Sequence, residues 1–89
     1  MRLVKRRILE CFLYLKARNE EPVTSRKVKH YILKQEPEIY SNFGSLDRNI
    51  RRSLRELYMD GILERDMHNQ RVLMYTLTTK GFETALRYL

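Results

Sequence analysis

Residues 45–60 read SLDRNIRRSLRELYMD, and their spacing predicts a helix with two chemically different sides. At about 100° per residue, leucine and isoleucine recur on one side, which indicates a face that packs into a core. Arginines recur at i, i+3, i+4 and i+7 on the opposite side. The helix is predicted to begin near Ser45, or earlier at Ser41, and to end at about Asp60, because Gly61 favours a helix end. The apolar side consists of Leu46, Ile50, Leu54 and Leu57, and the basic side of Arg48, Arg51, Arg52 and Arg55.

The arginine row is unfavourable for an isolated helix, because like charges four residues apart destabilise it by a few tenths of a kcal/mol per pair. Guanidinium groups pair with guanine edges or clamp phosphates, so an exposed row suits the major groove of DNA. Polar residues near the helix start stand where base edges are usually met. The alternative is a solvated face that carboxylates elsewhere neutralise. The helix residues predicted to contact DNA are Ser45, Arg48, Asn49, Arg51, Arg52 and Arg55.

Two helices are predicted upstream of this segment. Apolar residues at helical spacing indicate a first helix from Leu3 to about Arg18. A second helix is expected over about residues 25–35, with Thr24 or Ser25 as its cap.

A hairpin and a final helix are predicted downstream. Two strand-like runs, residues 62–67 and 71–77, are joined by a short polar connection, which is typical of a hairpin. Thr78 or Thr79 then caps the last helix. The element order is helix, short strand, helix, helix, hairpin, helix. The inner face of the last helix is predicted to hold Phe82, Ala85, Leu86 and Leu89.

Two further groups of side chains are predicted to contact DNA. Arg26 and Lys27 lie in the first turn of the second helix, where the helix dipole disfavours cations unless an anion such as a phosphate approaches. Arg65, Asn69 and Arg71 lie at the hairpin tip, which can follow the DNA backbone or enter the minor groove. The alternative for both groups is that they are exposed polar side chains without a binding role.

A second copy of the chain is predicted to be a partner. Leu9 and Leu13 form a second apolar stripe on the first helix, beside the stripe that joins the core. A small core needs only one stripe, so the second is expected to pack on another surface. We predict a homodimer through Leu9 and Leu13 together with Tyr88 and Leu89 at the C-terminal end.

Length and charge favour a small domain with a polyanionic partner. The chain has 89 residues with 18 basic and 11 acidic side chains, a net charge of +7, and a pI near 9.9. Such a length indicates a single domain over residues 1–89. A surface this basic attracts nucleic acid. The sequence contains no apolar run of the roughly 20 residues that a transmembrane helix needs. The prediction is therefore a cytoplasmic protein, associated with a nucleoid or in a host cytoplasm.

No catalytic or metal chemistry is predicted. Cys11, His30 and His68 fall on three separate elements without the spacing of a ligand pair. A single cysteine allows no intrachain disulfide, and Cys11 on the apolar face is expected to be buried. The glycines stand singly, so there is no phosphate-binding loop. We expect no enzyme, no cofactor, no metal and no small-molecule effector.

Two patterns can be read together across the second half of the chain. The first is Ile50-x-x-x-Leu54-x-x-Leu57-x-x-Asp60-Gly61-Ile62-Leu63-Glu64-Arg65, and the second is Tyr75-x-Leu77-Thr78-x-Lys80-Gly81. Together they resemble winged helix-turn-helix regulators of the MarR and PadR type, with a likeness that extends over about residues 3–89. In its small size and high charge the chain also looks similar to regulators that archaea and their viruses carry.

The resemblance implies an α+β, mostly helical, winged helix-turn-helix fold with a three-helix core, a β-hairpin wing and a short C-terminal helix. Residues 45–57 would enter the major groove and residues 64–72 would be the wing. Such regulators are usually dimers that read inverted repeats, often joined through terminal helices. The chain departs from the family in its longer loop between the second and third helices and in its short C-terminal helix.

The function expected from these features is sequence-specific binding of double-stranded DNA in transcriptional regulation. One alternative is a winged-helix module that binds protein within a transcription, replication or division complex, for which the second apolar stripe is the support. A structural RNA-binding protein is the least favoured reading, because double-stranded RNA hides its base edges in a deep groove.

Overall fold

The computed structural model describes residues 3–37, 43–68 and 71–88, and of residues 43, 44 and 68 it describes only the backbone. The α+β, mostly helical class and the order of elements are confirmed. Asn69 and Leu89, which were predicted to contact DNA and a second copy respectively, lie outside the described residues. The elements are α1 (Leu3–Ala17), β1 (Val23–Thr24), α2 (Ser25–Gln35), α3 (Phe43–Met59), β2 (Leu63–His68), β3 (Val72–Leu77) and α4 (Thr79–Tyr88).

The helix ends follow from local backbone chemistry. Asn19 after α1 and Gly61 after α3 have positive φ angles of 57° and 77°, the left-handed conformation that commonly ends a helix. Thr24, not Ser25, caps α2, since its Oγ1 accepts a hydrogen bond of 3.2 Å from the backbone N–H of Lys27. Thr78 caps α4 in the same way. The predicted boundaries are therefore confirmed to within a few residues.

The sheet is antiparallel and has the strand order β1-β3-β2. In the hairpin, Leu63 pairs with Leu77 and Arg65 pairs with Tyr75. Because successive strand residues point to opposite faces, Arg65 lies on the same sheet face as the buried Leu63. This register determines which hairpin side chains can meet α3.

The apolar side of α3 is buried as predicted. Its leucine and isoleucine side chains are at most 3% exposed. They join one hydrophobic cluster with residues of the other three helices and the sheet, which fixes the orientation of α3 and leaves its opposite side in solvent. The fully buried large side chains of the cluster include Ile8, Leu9, Phe12, Ile32, Ile50, Leu54, Leu57 and Leu63.

The expectation that Leu9 packs against a second copy is wrong, because Leu9 is 0% exposed within the single chain. Helix α1 packs against α2, α3, α4 and β3, and a helix surrounded on so many sides buries more than one stripe. Leu13 is half-buried and packs against the core cluster.

The predicted inner face of α4 is also wrong in part. Ala85 is buried, but Phe82 and Leu86 are 40% and 58% exposed. The side that closes on the chain carries the smallest residues, and a methyl group at Gly81 would overlap the backbone carbonyl of Ile62. Close packing through glycine and alanine turns Phe82 and Leu86 outward, where they form an exposed apolar face, while the exposed Tyr88 lies on another side of α4.

Candidate nucleic-acid interface

The basic side of α3 is exposed to solvent along the helix. All four arginines are exposed, and the side chain of Arg51 is 72% exposed. Arg51 lies 3.3 Å from an Asp47 oxygen, and Arg52 lies 3.9 Å from a Glu56 oxygen. Such solvated pairs within one helix contribute only a few tenths of a kcal/mol, so an anionic ligand can displace them. Arg48 and Arg55 have no carboxylate partner among the described residues.

The start of α3 presents polar side chains beside this row. Ser45 is exposed and Asn49 is half-buried. The Asn49 side-chain carbonyl accepts a hydrogen bond of 3.4 Å from an Arg52 N–H group. The amide nitrogen of Asn49 thus stays available as a donor. It lies next to the Arg52 guanidinium, one edge of which is held by this hydrogen bond.

An open groove of about 400 Å³ lies between α3 and the β2–β3 hairpin. Arginines from both elements line it, and none of its described lining residues is acidic. We call it the arginine groove. Its lining also includes apolar side chains and the first residue of α2. The lining residues are Ser25, Arg51, Leu54, Arg55, Arg65, Arg71, Val72, Leu73 and Tyr75.

The two flanks of α3 differ in charge. On the side away from the hairpin, a shallow depression is lined by Arg52, Arg55, Glu56, Met59 and Asp60. Glu56 also forms an ion pair of 2.8 Å with Lys5 of α1. This flank is therefore partly neutralised by carboxylates in its own lining, whereas the lining of the hairpin side has none, and Asp47 pairs with only one of the arginines there, Arg51.

The two basic residues predicted at the start of α2 do not reach the arginine groove. Lys27 turns toward α1, where its Nζ lies 3.3 Å from a Glu20 oxygen. Arg26 is exposed and lines neither the arginine groove nor the depression beside it. Ser25 lines the groove instead. The position of Ser25 directly after the cap residue Thr24 is the one signal in the sequence that could have indicated this role.

Lys27 contributes to a second groove, about 350 Å³ in volume, between the end of α1 and α2. We call it the α1–α2 groove. Two tyrosine rings with centroids 5.7 Å apart, Tyr14 and Tyr31, form part of its wall. Glu20 lies 2.9 Å from Arg18 and 3.3 Å from Lys27. Hydrogen bonds from these two cations lower the pKa of the Glu20 carboxyl. At neutral pH the carboxylate is therefore ionised and paired with both cations.

The buried cysteine offers no reactive site. Cys11 is 0% exposed, and its burial in apolar surroundings raises the pKa of the thiol to about 12. At neutral pH the thiol is protonated and acts as a small core side chain. Across the described ranges, no three His, Cys, Asp or Glu side chains are grouped so as to hold a metal ion. In the same ranges no helix is long and apolar enough to cross a membrane.

Comparison of the chain with models of protein families, with curated proteins and with solved structures gives no match. The resemblance to the MarR and PadR regulators thus stays a prediction, carried by the two residue patterns in the second half of the chain.

Proposed function

We propose that this chain is a winged helix-turn-helix protein that binds double-stranded DNA in a sequence-specific way and regulates transcription. In this proposal α3 enters the major groove. The β2–β3 hairpin is the wing, and it lies on the adjacent backbone or in the adjacent minor groove. The observation that carries the proposal is the arginine groove, in which Arg51, Arg55, Arg65 and Arg71 line one surface. No acidic residue is among its described lining residues, and of the four arginines only Arg51 has a carboxylate partner in the described ranges, the exposed pair with Asp47.

Electrostatics support a nucleic acid over a smaller anion. Several guanidinium groups on one open surface repel each other, and a polyanion relieves that repulsion along its whole length. The arginines come from a helix and a hairpin, two elements of the kinds that DNA grooves accept. The apolar side chains of the groove can pack against sugar and base edges while the cations reach phosphates.

Base recognition is assigned to the start of α3. Arg52 and Asn49 are joined by a hydrogen bond of 3.4 Å, which limits the orientations of both side chains. Arginine pairs best with guanine and asparagine with adenine, and each good bidentate contact discriminates by about 1–3 kcal/mol. Arg48 and Ser45 extend the same exposed side toward the N-terminal end of the helix.

A homodimer is part of the proposal, through α4 instead of α1. The exposed apolar face of α4 consists of Phe82 and Leu86, which lie one helical turn apart. Two copies of α4 packed antiparallel about an axis near residue 85 would bring Glu83 of each copy opposite Arg87 of the other, so the face is self-complementary. Residues of α4 do not line the arginine groove, so both copies could bind DNA. We expect the protein to work in the cytoplasm on chromosomal or viral DNA.

The dimer surface is tested by Leu86→Glu, which places a charge in the middle of the proposed contact. We expect this variant to be a folded monomer by light scattering while the parent chain is a dimer. Equal masses for the two proteins would remove α4 as the contact.

The same α4 face also favours the second candidate function, a module that binds a protein partner within a transcription, replication or division complex. The two candidates differ in what they predict for DNA. A protein-binding module without affinity for DNA would leave random duplexes unbound even at low salt, whereas the arginine groove predicts that they bind.

Selection from a pool of random duplexes tests the DNA proposal directly. We expect the parent chain to retain a defined subset with nanomolar-range affinity. Asn49→Ala and Arg52→Ala should still bind duplexes but lose the base preference at one or two positions. If both variants retained the same subset as the parent, the assignment of α3 as the recognition helix would be wrong.

A further inference from the structure

Arg65 occupies a position in β2 where an apolar side chain would be expected. It lies two residues after the buried Leu63, on the same face of the sheet, and pairs across the hairpin with Tyr75. The acidic residues on either side of it, Glu64 and Asp66, leave the strand on the opposite face because strand residues alternate, although both line a depression that Arg65 and Tyr58 also line. Neither forms an ion pair with Arg65, and Asp66 instead accepts a hydrogen bond of 2.9 Å from the backbone of Met67.

The Arg65 guanidinium is held by an aromatic ring. Its central carbon lies 4.1 Å from the centroid of the Tyr58 ring, within the range of a cation–π contact. Tyr58 is half-buried in the last turn of α3, so the contact connects the helix to the hairpin. Within the described part of the chain, no N–H group of Arg65 donates a hydrogen bond to another residue.

Stacking leaves the binding edge of a guanidinium available. When a guanidinium stacks on a ring through its flat face, its N–H donors point outward in the plane and can pair bidentately with a phosphate. An unstacked arginine on an edge strand would sample many rotamers and would lose that freedom on binding. A stacked arginine has already lost part of its rotamer freedom before it binds.

We propose that Tyr58 is a positioning residue, which holds Arg65 at the arginine groove in the orientation that contacts a DNA phosphate. The inference rests on the proposed DNA binding and adds to it a residue that needs no contact with DNA. It also explains why a tyrosine stands on the hairpin side of α3, next in sequence to the buried Leu57.

The test measures affinity for a random-sequence duplex, because a phosphate contact acts on every sequence alike. Tyr58→Leu keeps an apolar side chain but removes the ring, and we expect duplex binding to weaken about two- to fivefold. Tyr58→Phe keeps the ring and should bind as the parent does. In an Arg65→Gln background, where no cation remains to be positioned, Tyr58→Leu should cause no further loss.

The double variant separates positioning from general stability. Thermal unfolding of each protein shows how much Tyr58→Leu destabilises the fold, and that loss is expected to be slightly smaller without Arg65, because the cation–π contact is then already absent. A merely structural role would weaken DNA binding equally in both backgrounds, which would overturn the inference. So would unchanged binding by Tyr58→Leu. If the parent chain bound no duplex at all, the proposed function and this inference would both be wrong. That outcome is distinguishable from the two that overturn the inference alone, because in those the parent chain still binds DNA.

Discussion

The arginine groove and the α1–α2 groove are similar in size, about 400 and 350 Å³, and both are lined by cationic side chains. They differ in how those cations are balanced. In the α1–α2 groove, Glu20 lies within ion-pair distance of both Arg18 and Lys27. The lining of the arginine groove has no such carboxylate. A basic patch therefore indicates a binding surface only where the chain does not neutralise it.

The difference has a local cause in each region. Glu20 belongs to the connection after α1, where the chain turns at Asn19 and brings a carboxylate between a cation of α1 and one of α2. Beside the arginine groove, strand alternation directs Glu64 and Asp66 away from the face that carries Arg65. Among the described residues, Glu20 thus pairs with two cations of the α1–α2 groove, whereas in the arginine groove only Arg51 has a carboxylate partner, Asp47.

Charge reversal in the two grooves is expected to give the largest contrast. Arg55→Glu removes an unpaired cation from the arginine groove and adds a like charge to the phosphates, so duplex affinity should fall on the order of a hundredfold. Lys34→Glu makes the same change in net charge within the α1–α2 groove and should cost about threefold or less. Both affinities can be measured by fluorescence anisotropy on one duplex. Equal losses would show that only net charge matters.

The salt dependence of binding gives a smaller but sharper contrast. Each phosphate contact contributes about 0.9 to the slope of log affinity against log salt. We expect Arg71→Gln to lower that slope by about 0.9. Lys27→Gln should leave it unchanged, because Lys27 is paired with Glu20 on the other side of α2. A lowered slope for Lys27→Gln would show that Lys27, and with it the α1–α2 groove, contacts DNA phosphates.

The pH dependence of stability gives the smallest effect. The pKa of Glu20 is lowered from its ordinary value near 4.5 by hydrogen bonds from Arg18 and Lys27. A carboxyl with a lowered pKa stabilises the fold above its unfolded-state pKa, and the contribution is lost as pH falls through the folded-state pKa. The parent chain should therefore be slightly more stable than Glu20→Gln at neutral pH, and the two denaturation midpoints should converge below about pH 4. A difference that stayed constant into acid would contradict the pairing.

The sequence predicted those parts of the fold that depend on neighbours along the chain. The apolar side of α3, the helix ends at Asn19 and Gly61 and the cap at Thr24 all follow from local spacing and backbone preference. The exposed arginines of α3 could be predicted for the same reason, since burial of one side of a helix leaves the opposite side in solvent.

Long-range packing accounts for what the sequence did not predict. The spacing of Phe82 and Leu86 is that of a core face, but it cannot show that Gly81 lets α4 approach Ile62 more closely on another side. Leu9 looked like a surface residue because a helix enclosed by four elements cannot be recognised from its own sequence. The roles of Ser25 and Tyr58 depend on residues of the hairpin that are distant along the chain.

Binding of the unmodified chain to a random-sequence duplex at about 50 and about 200 mM salt tests the central claim most directly. If the four groove arginines meet phosphates, their combined slope of about 3.6 predicts binding at least about a hundredfold weaker at the higher salt. Absence of binding at the lower salt, or binding that salt does not weaken, would contradict the claim that these unbalanced arginines form a DNA-binding surface.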